Sequence, residues 1–254
     1  MLILEAGINH FGKNIDAKKY LNFFLNSKFT HLTFMIHNDQ FYKNFEKKIN
    51  FKLKNNFYKN ALKLAHKKKK KIGLAVCDTK TFGELSDIKF DFYKLLSIAI
   101  DNRNLIRQLD NTKKKVFISL GKGTNLKIKK CINLFSSKKK LNLIYTSMSY
   151  DSRDINLHRI IDLKKRFRLK TGYGHHYCNN TAIFLSIYFK AEFIFVYIKD
   201  NLAAPKRIYP DHGHAIEISN LNKLNDDVED VKKMLKVYNN NIKLKINEIQ
   251  KIKY

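Results

Sequence analysis

The sequence is short of several things, and each shortage closes off a class of protein. Its 254 residues include two prolines, no tryptophan and no Pro/Gly/Ser-rich stretch. No linker therefore divides the chain, no internal repeat is visible, and a single domain is expected. The three cysteines, Cys77, Cys131 and Cys178, are odd in number, far apart and not spaced as metal-binding pairs. That pattern fits buried thiols in a reducing cytoplasm. No apolar run approaches the roughly 18 residues that a membrane span requires. Met1 to Ala6 is apolar but runs straight into Gly7-Ile8-Asn9-His10. It has no basic segment before it and no cleavage site after it, so no secretory signal is read there.

Acidic residues are scarce as well, 22 against 50 basic ones, for a formal net charge of +28. Such a balance ordinarily points to nucleic acid or an anionic membrane. Here the excess is nearly all lysine, spread along the whole chain, and it accompanies abundant Asn, Ile and Phe. A drift in amino-acid usage accounts for this, whereas a nucleic-acid surface concentrates arginine and interleaves aromatics in one segment. The densest run, Lys67 to Lys71, falls between a helical pattern and a strand and reads as a solvated turn. No specific nucleic-acid partner is expected, although a basic exterior attracts anionic sugars and phosphates.

What is present is an ordinary globular composition, 44% hydrophobic and 13% aromatic, in short apolar runs separated by helical patterns. The runs Leu2–Glu5, His31–Ile36, Ile72–Cys77, Phe92–Leu96, Val116–Ser119, Leu141–Thr146, Leu169–Tyr173 and Phe193–Ile198 read as strands. Helices are expected over Asp16 to Asn26, with an Asp N-cap, and over Phe57–Lys68, Asn102–Leu109, Thr124–Phe135, Asp154–Phe167 and Asn180–Phe189. Strand and helix alternate without hairpin signals, which argues for parallel strands joined by helical crossovers. Eight such strands close a (β/α)8 TIM-type barrel, an α/β fold that typically takes about 250 residues. The stretch Asn38 to Asn56 reads as an insertion. The barrel is expected over 1–225, with 226–254 a charged helical tail that covers a barrel end or makes an interface.

In this fold, active sites gather at the C-terminal strand ends. Those positions hold Glu5, Asn9, His10, Thr33, Met35, Cys77, Asp78, Lys94, Ser97, Ser119, the segment Thr146 to Tyr150, His175, His176, Tyr197 and Pro210-Asp211-His212. Loops are polar in general. Lys94 and Ser119 stand apart because each belongs to an otherwise apolar strand.

Several segments then resemble, in order, those of the sialic-acid synthase family, which includes the legionaminic and pseudaminic acid synthases. Glu5-Ala6-Gly7-Ile8-Asn9-His10-Phe11-Gly12 is similar to the family's EAGxNHxG opening. Asp91-Phe92-Tyr93-Lys94-Leu95 with Ser97, Val116 to Gly121, and Asp154-Ile155-Asn156-Leu157 follow in the family's order. Gly172-Tyr173-Gly174-His175-His176 resembles its GYSDH, and Pro210-Asp211-His212 its PDH. The likeness covers about residues 2 to 225. It implies a barrel that condenses phosphoenolpyruvate with an open-chain 2-acylamino sugar, with a divalent metal, manganese or magnesium, polarising the sugar aldehyde. By the same resemblance Lys94, Ser97 and Ser119 bind phosphoenolpyruvate and Glu5 handles a proton or orients water. Tyr150 and Asp211 contact the sugar, and His176 is a metal ligand.

The departures from the family pattern are as informative. The family's lysine on strand two falls at Thr33, its second metal histidine at Tyr197, and the Ser and Asp of GYSDH at Gly174 and His175. An Asn before the strand-six Tyr falls at Met148. Lys122 and Lys199 are the candidate replacement cations, and His175, His212 and Glu5 the candidate replacement ligands. A tyrosine ligates only after losing a proton with a pKa near 10, and losing a key electrostatic group typically costs about 3–4 kcal/mol of transition-state stabilisation. The resemblance therefore implies a partly degenerate site. The chain also ends without the family's small antifreeze-like domain, which lends an arginine to a partner subunit, so a homodimer would pair through another face. Three readings stay open: a divergent condensing enzyme, a barrel with a changed reaction that acts without metal, and an inactive barrel that binds a sugar, a phosphate or a pathway partner.

Overall fold

The eight apolar runs become eight parallel strands, and the register closes them into a ring. The computed structural model describes residues 1–43, 52–121, 123–200 and 209–236. In chain order the strands are β1 (Leu2–Gly7), β2 (His31–Met35), β3 (Lys71–Val76), β4 (Phe92–Leu95), β5 (Lys115–Ser119), β6 (Leu141–Thr146), β7 (Lys170–Gly174) and β8 (Ile194–Lys199). Each pairs with the next, and β1 pairs back onto β8 with Leu2 opposite Ile194 and Glu5 opposite Tyr197. The expected (β/α)8 barrel is the fold. A two-residue β9 (Ile216–Glu217) extends β8 on the outside.

The helices between strands are α1 (Asn14–Asn26), α2 (Asp39–Lys43), α3 (Asn55–Lys67), α4 (Thr79–Glu84), α5 (Arg103–Asn111), α6 (Asn125–Asn133), α7 (His158–Phe167) and α8 (Thr181–Tyr188). After β9 comes α9 (Leu221–Lys236), which buries Leu221, Leu224 and Val228 and packs on α8. The expected boundary between residues 225 and 226 falls inside this helix, and the tail beyond 236 lies outside the described residues. So does 44–51, the middle of the expected insertion, whose start forms α2 and whose end opens α3.

Two apolar compartments hold the barrel. Outward-facing strand residues and the inner helix faces form the larger one. The smaller one fills the lumen with Ile3, Phe92, Phe117, Ile144, Phe193 and Phe195. Its rings meet edge to face, Phe117 at 4.9 Å from Phe193 and 5.2 Å from Phe195, each contact adding about 0.5–1.5 kcal/mol beyond area burial. Gly73 is what lets Phe92 in, because a Cβ there would lie 2.3 Å from that ring.

Three local expectations change. Asp16 does not cap α1, which starts at Asn14; the carboxylate sits in the first turn, where the helix dipole favours it. Lys70 is not a solvated turn residue. Its ammonium caps the carbonyls of Phe24, Ser27 and Phe29 at 2.6, 2.6 and 2.8 Å, satisfying acceptors that the end of α1 leaves open. Cys178 is exposed rather than buried, because the loop after β7 that carries it is polar.

Candidate active site

Strand geometry builds the site floor directly on the lumen plug. Side chains two residues apart on a strand share a face. One step beyond Ile3, Phe92, Phe117, Ile144 and Phe195 therefore come Glu5, Lys94, Ser119, Thr146 and Tyr197. The register sets Thr33 beside Glu5 on one side and Tyr197 beside it on the other. A polar layer thus lies on an aromatic plug at the C-terminal end of the barrel.

The centre of that layer is an ion pair. Lys94 Nζ donates to both carboxylate oxygens of Glu5, at 2.7 and 2.6 Å, with side chains only 4% and 0% exposed. The ammonium also lies over the Phe195 ring at 4.9 Å and the Tyr197 ring at 5.4 Å. Tyr197 is held neutral: burial, then the charges of Glu5 and Asp211, push its phenol well above the ordinary value.

A loop from beyond β8 folds over this floor. Asn9 fixes it, donating through Nδ2 to the Ile198 carbonyl at 2.9 Å and accepting at Oδ1 from the Asp211 backbone N–H at 3.3 Å. The Asp211 carboxyl comes down over Gly7, where a Cβ would sit 2.9 Å from Asp211 Oδ2. Gly7 has φ +53°, a left-handed conformation that glycine adopts without strain. Burial, then the charge of Glu5, raise the Asp211 pKa to about 7 against the opposing pull of Lys94.

His214, on the same loop, joins the parts. Its Nδ1 pairs with the Tyr150 hydroxyl at 3.1 Å, and its Nε2 lies 3.8 Å from Asp211 Oδ1. Its ring stacks on His176 (centroids 4.4 Å, 17° between planes) and meets Tyr197 edge-on at 4.8 Å. Burial, then Lys94 and Lys199, lower the His214 pKa to about 4, and burial followed by the charge of His214 holds His176 well below the usual histidine range. Both imidazoles are neutral at physiological pH. The sequence places the loop around Pro205 to His214 at the acceptor pocket but singles out His212 as the candidate ligand, and His212 is exposed and faces Tyr209. The two-residue spacing from His212 was the only hint at His214 itself.

The other expected positions divide. Glu5, Lys94, Asp211, Tyr150, His176 and Tyr197 are brought together. Ser97 begins a single 3-10 turn after β4, and its Oγ would be 2.7 Å from a Cβ on Gly121. Ser119 ends β5 on the strand next to Lys94. Thr33 is fully buried with its hydroxyl unpartnered. Lys199 is spent on the His212 carbonyl at 3.2 Å, outside the floor, and Lys122 lies outside the described residues. Asp78 caps α4, accepting from the Thr81 N–H at 2.9 Å, and Cys77 lies 3.3 Å from His37 Nδ1, so these two serve local structure. His175 is buried, and burial lowers its pKa to about 3.

As chemistry, the arrangement offers one buried cation, one carboxylate bonded to it, one carboxyl poised near neutrality and a cluster of neutral rings with hydrogen-bonding edges. As a divalent-metal site it is poor. Both Glu5 oxygens are engaged by an ammonium, and the phenol of Tyr197 is held protonated. Among the described residues no group of three His, Cys, Asp or Glu side chains is placed to hold an ion.

Comparison with known proteins agrees with this geometry at the level of fold and family. The sequence model of the NeuB family matches residues 19–240. Over 88 residues the chain is 28% identical to the pseudaminic acid synthase of Campylobacter jejuni subsp. jejuni serotype O:23/36 (strain 81-176), covering 33% of this chain and 26% of that protein. The match thus spans about a quarter of that curated relative. The fold superposes on the N-acetylneuraminic acid (sialic acid) synthetase of Leptospira borgpetersenii serovar Hardjo-bovis, solved in complex with citrate. The TM-score is 0.82 at 21% identity, over 100% of this chain and 90% of that one. The spore coat polysaccharide biosynthesis protein spsE of Bacillus subtilis gives 0.79 at 17%, over 93% and 69%.

Proposed function

Because the chain belongs to the NeuB family, we propose that it condenses phosphoenolpyruvate with an open-chain 2-acylamino sugar, in the making of a nonulosonic acid for a surface glycan. The observation that carries this reading is the buried Lys94–Glu5 pair at the barrel mouth, with Ser97 opening the turn after β4 and Ser119 ending β5. An enol phosphate carries its charge on phosphate and carboxylate. Lys94, with the Ser97 and Ser119 hydroxyls, supplies a cation and donors for that charge, and the anion displaces or shares the hold of Glu5. Freed in this way, Glu5 orients or deprotonates water.

In the proposed step C3 of the enol bonds to the aldehyde carbon and the aldehyde oxygen takes a proton. Water adds at C2, and phosphate leaves with its C–O bond broken. Asp211, raised to about 7 by burial and Glu5, holds a proton to give at neutral pH. Tyr150 and His214 border the space for the acceptor. Thr33 in place of a lysine and Tyr197 in place of a histidine make this a partly degenerate version of the site.

A second reading has its own support. The pair is almost inaccessible and both Glu5 oxygens are engaged, which also suits a barrel that holds a sugar or phosphate, or a pathway partner, without turnover. Phosphate release from phosphoenolpyruvate across a panel of 2-acylamino sugars, with Lys94→Ala as control, separates the two. Sugar-dependent release, lost in a folded control, supports the synthase. No release with any sugar from folded protein removes it in favour of the binding barrel.

A further inference from the structure

Resting on the proposal that this mouth is the reaction site, we infer that it works without a divalent ion. The buried Lys94 ammonium is its standing cation, and the His176–His214 stack closes the flank where an ion would need converging ligands.

Imidazole binds a metal through a lone pair in the ring plane, at a metal–nitrogen distance of about 2.0–2.1 Å. Two rings that share an ion must therefore have planes that meet at it. His176 and His214 lie face to face, 4.4 Å between centroids and 17° between planes, so their planes do not meet within bonding distance of both rings. The third ring of the cluster, Tyr197, stands edge-on to both, at 5.2 Å from His176 and 4.8 Å from His214. His214 has a partner of its own at Nδ1, the Tyr150 hydroxyl.

The carboxylates do not repair this. Glu5 gives both oxygens to Lys94, which leaves Asp211, its Oδ2 without a hydrogen-bond partner, as a lone carboxyl beside two parallel rings. An ion near Glu5 would also approach the Lys94 ammonium, a like charge in a medium where such repulsion is poorly screened. In its place the buried Lys94 ammonium is a fixed positive charge in the same polar layer, and preorganised charge of this kind offsets negative charge on bound substrate without a metal.

Manganese(II) alone is the probe. Protein stripped with a chelator is titrated with Mn2+, and the free-ion signal is followed by electron paramagnetic resonance, for the wild type, His176→Ala and Asp211→Asn. The expected result is an undiminished free Mn2+ signal at protein and metal concentrations of about 100 µM. A loss of signal that persists in both His176→Ala and Asp211→Asn places the ion outside the mouth and supports the inference. One Mn2+ per chain, lost in either variant, overturns it. Where sugar-dependent phosphate release is found, it is expected to change less than about twofold on chelation; release that collapses and returns with Mn2+ overturns the inference as well. If no sugar supports release, the synthase proposal fails while the resonance titration still decides the question of the ion.

Discussion

Lys94→Met tests whether the ion pair is as buried as it looks. Methionine replaces the four-atom stem while removing the ammonium that lies over Phe195. Glu5, fully inaccessible, then becomes a buried carboxylate with no counter-ion. Breaking a buried pair from one side typically costs about 3–5 kcal/mol, because the remaining charge is left uncompensated. With side chains 4% and 0% exposed, little water is available to lessen that cost. In urea the midpoint of unfolding is expected to fall by roughly 1–2 M.

The pH dependence gives the sign. A buried carboxylate with no counter-ion is costly only while it is charged, so protonation relieves the penalty. The deficit relative to wild type is therefore largest at neutral pH and shrinks toward pH 5. Glu5→Gln added to Lys94→Met removes the orphan charge and is expected to recover most of the loss. A single variant within about 1 kcal/mol of wild type, or a double variant no better than the single, would refute the buried-pair reasoning.

Asp211→Asn is expected to stabilise the fold at pH 8 relative to pH 5. The wild-type carboxyl, raised to about 7, gives up stability as pH rises from about 4 through 7, and matched thermal melts at the two pH values read the difference. Gly121→Ala is expected to cost about 1–3 kcal/mol in denaturant unfolding, because Gly121 has φ +43° and the new Cβ would meet Ser97 Cβ and Oγ at 2.7 Å. Tyr150→Phe, losing one hydrogen bond at an exposed ring, is expected to change stability by less than about 1.5 kcal/mol. If the proposed reaction is confirmed, its larger effect falls on the KM for the acceptor sugar.

The fold was legible because strands buried on both faces read as continuous apolar runs, and all eight runs became strands with ends shifted by a residue or two. The misses have local causes. α4 is too short to show a helical period and exists because Asp78 caps it. Lys70 looked like part of a solvated run because sequence shows its charge but not the open carbonyls at the end of α1.

The candidate site splits along the same physical line. Its floor is set by strand periodicity, so a charged residue two places after a lumen aromatic, Lys94 after Phe92, announces a position above the plug without any structure. The same rule makes Thr33 and Tyr197 meaningful, since β1 pairing puts both beside Glu5. Its roof obeys no period. His214 reaches His176, Tyr197, Tyr150 and Asp211 because long-range contacts hold the loop on β8: Asn9, some two hundred residues earlier, bonds both, Lys199 donates to the His212 carbonyl, and β9 pairs with β8. In a chain with nine histidines, nothing local distinguishes His214 from its exposed neighbour His212. That division sets where substitutions speak most clearly. Changes on the floor alter charge at fixed geometry, so they report on chemistry. A change at Asn9 loosens the loop that carries Asp211 and His214, and with it the His214–Tyr150 hydrogen bond to the segment after β6, so Asn9→Ala would weaken the whole roof without touching a reacting group.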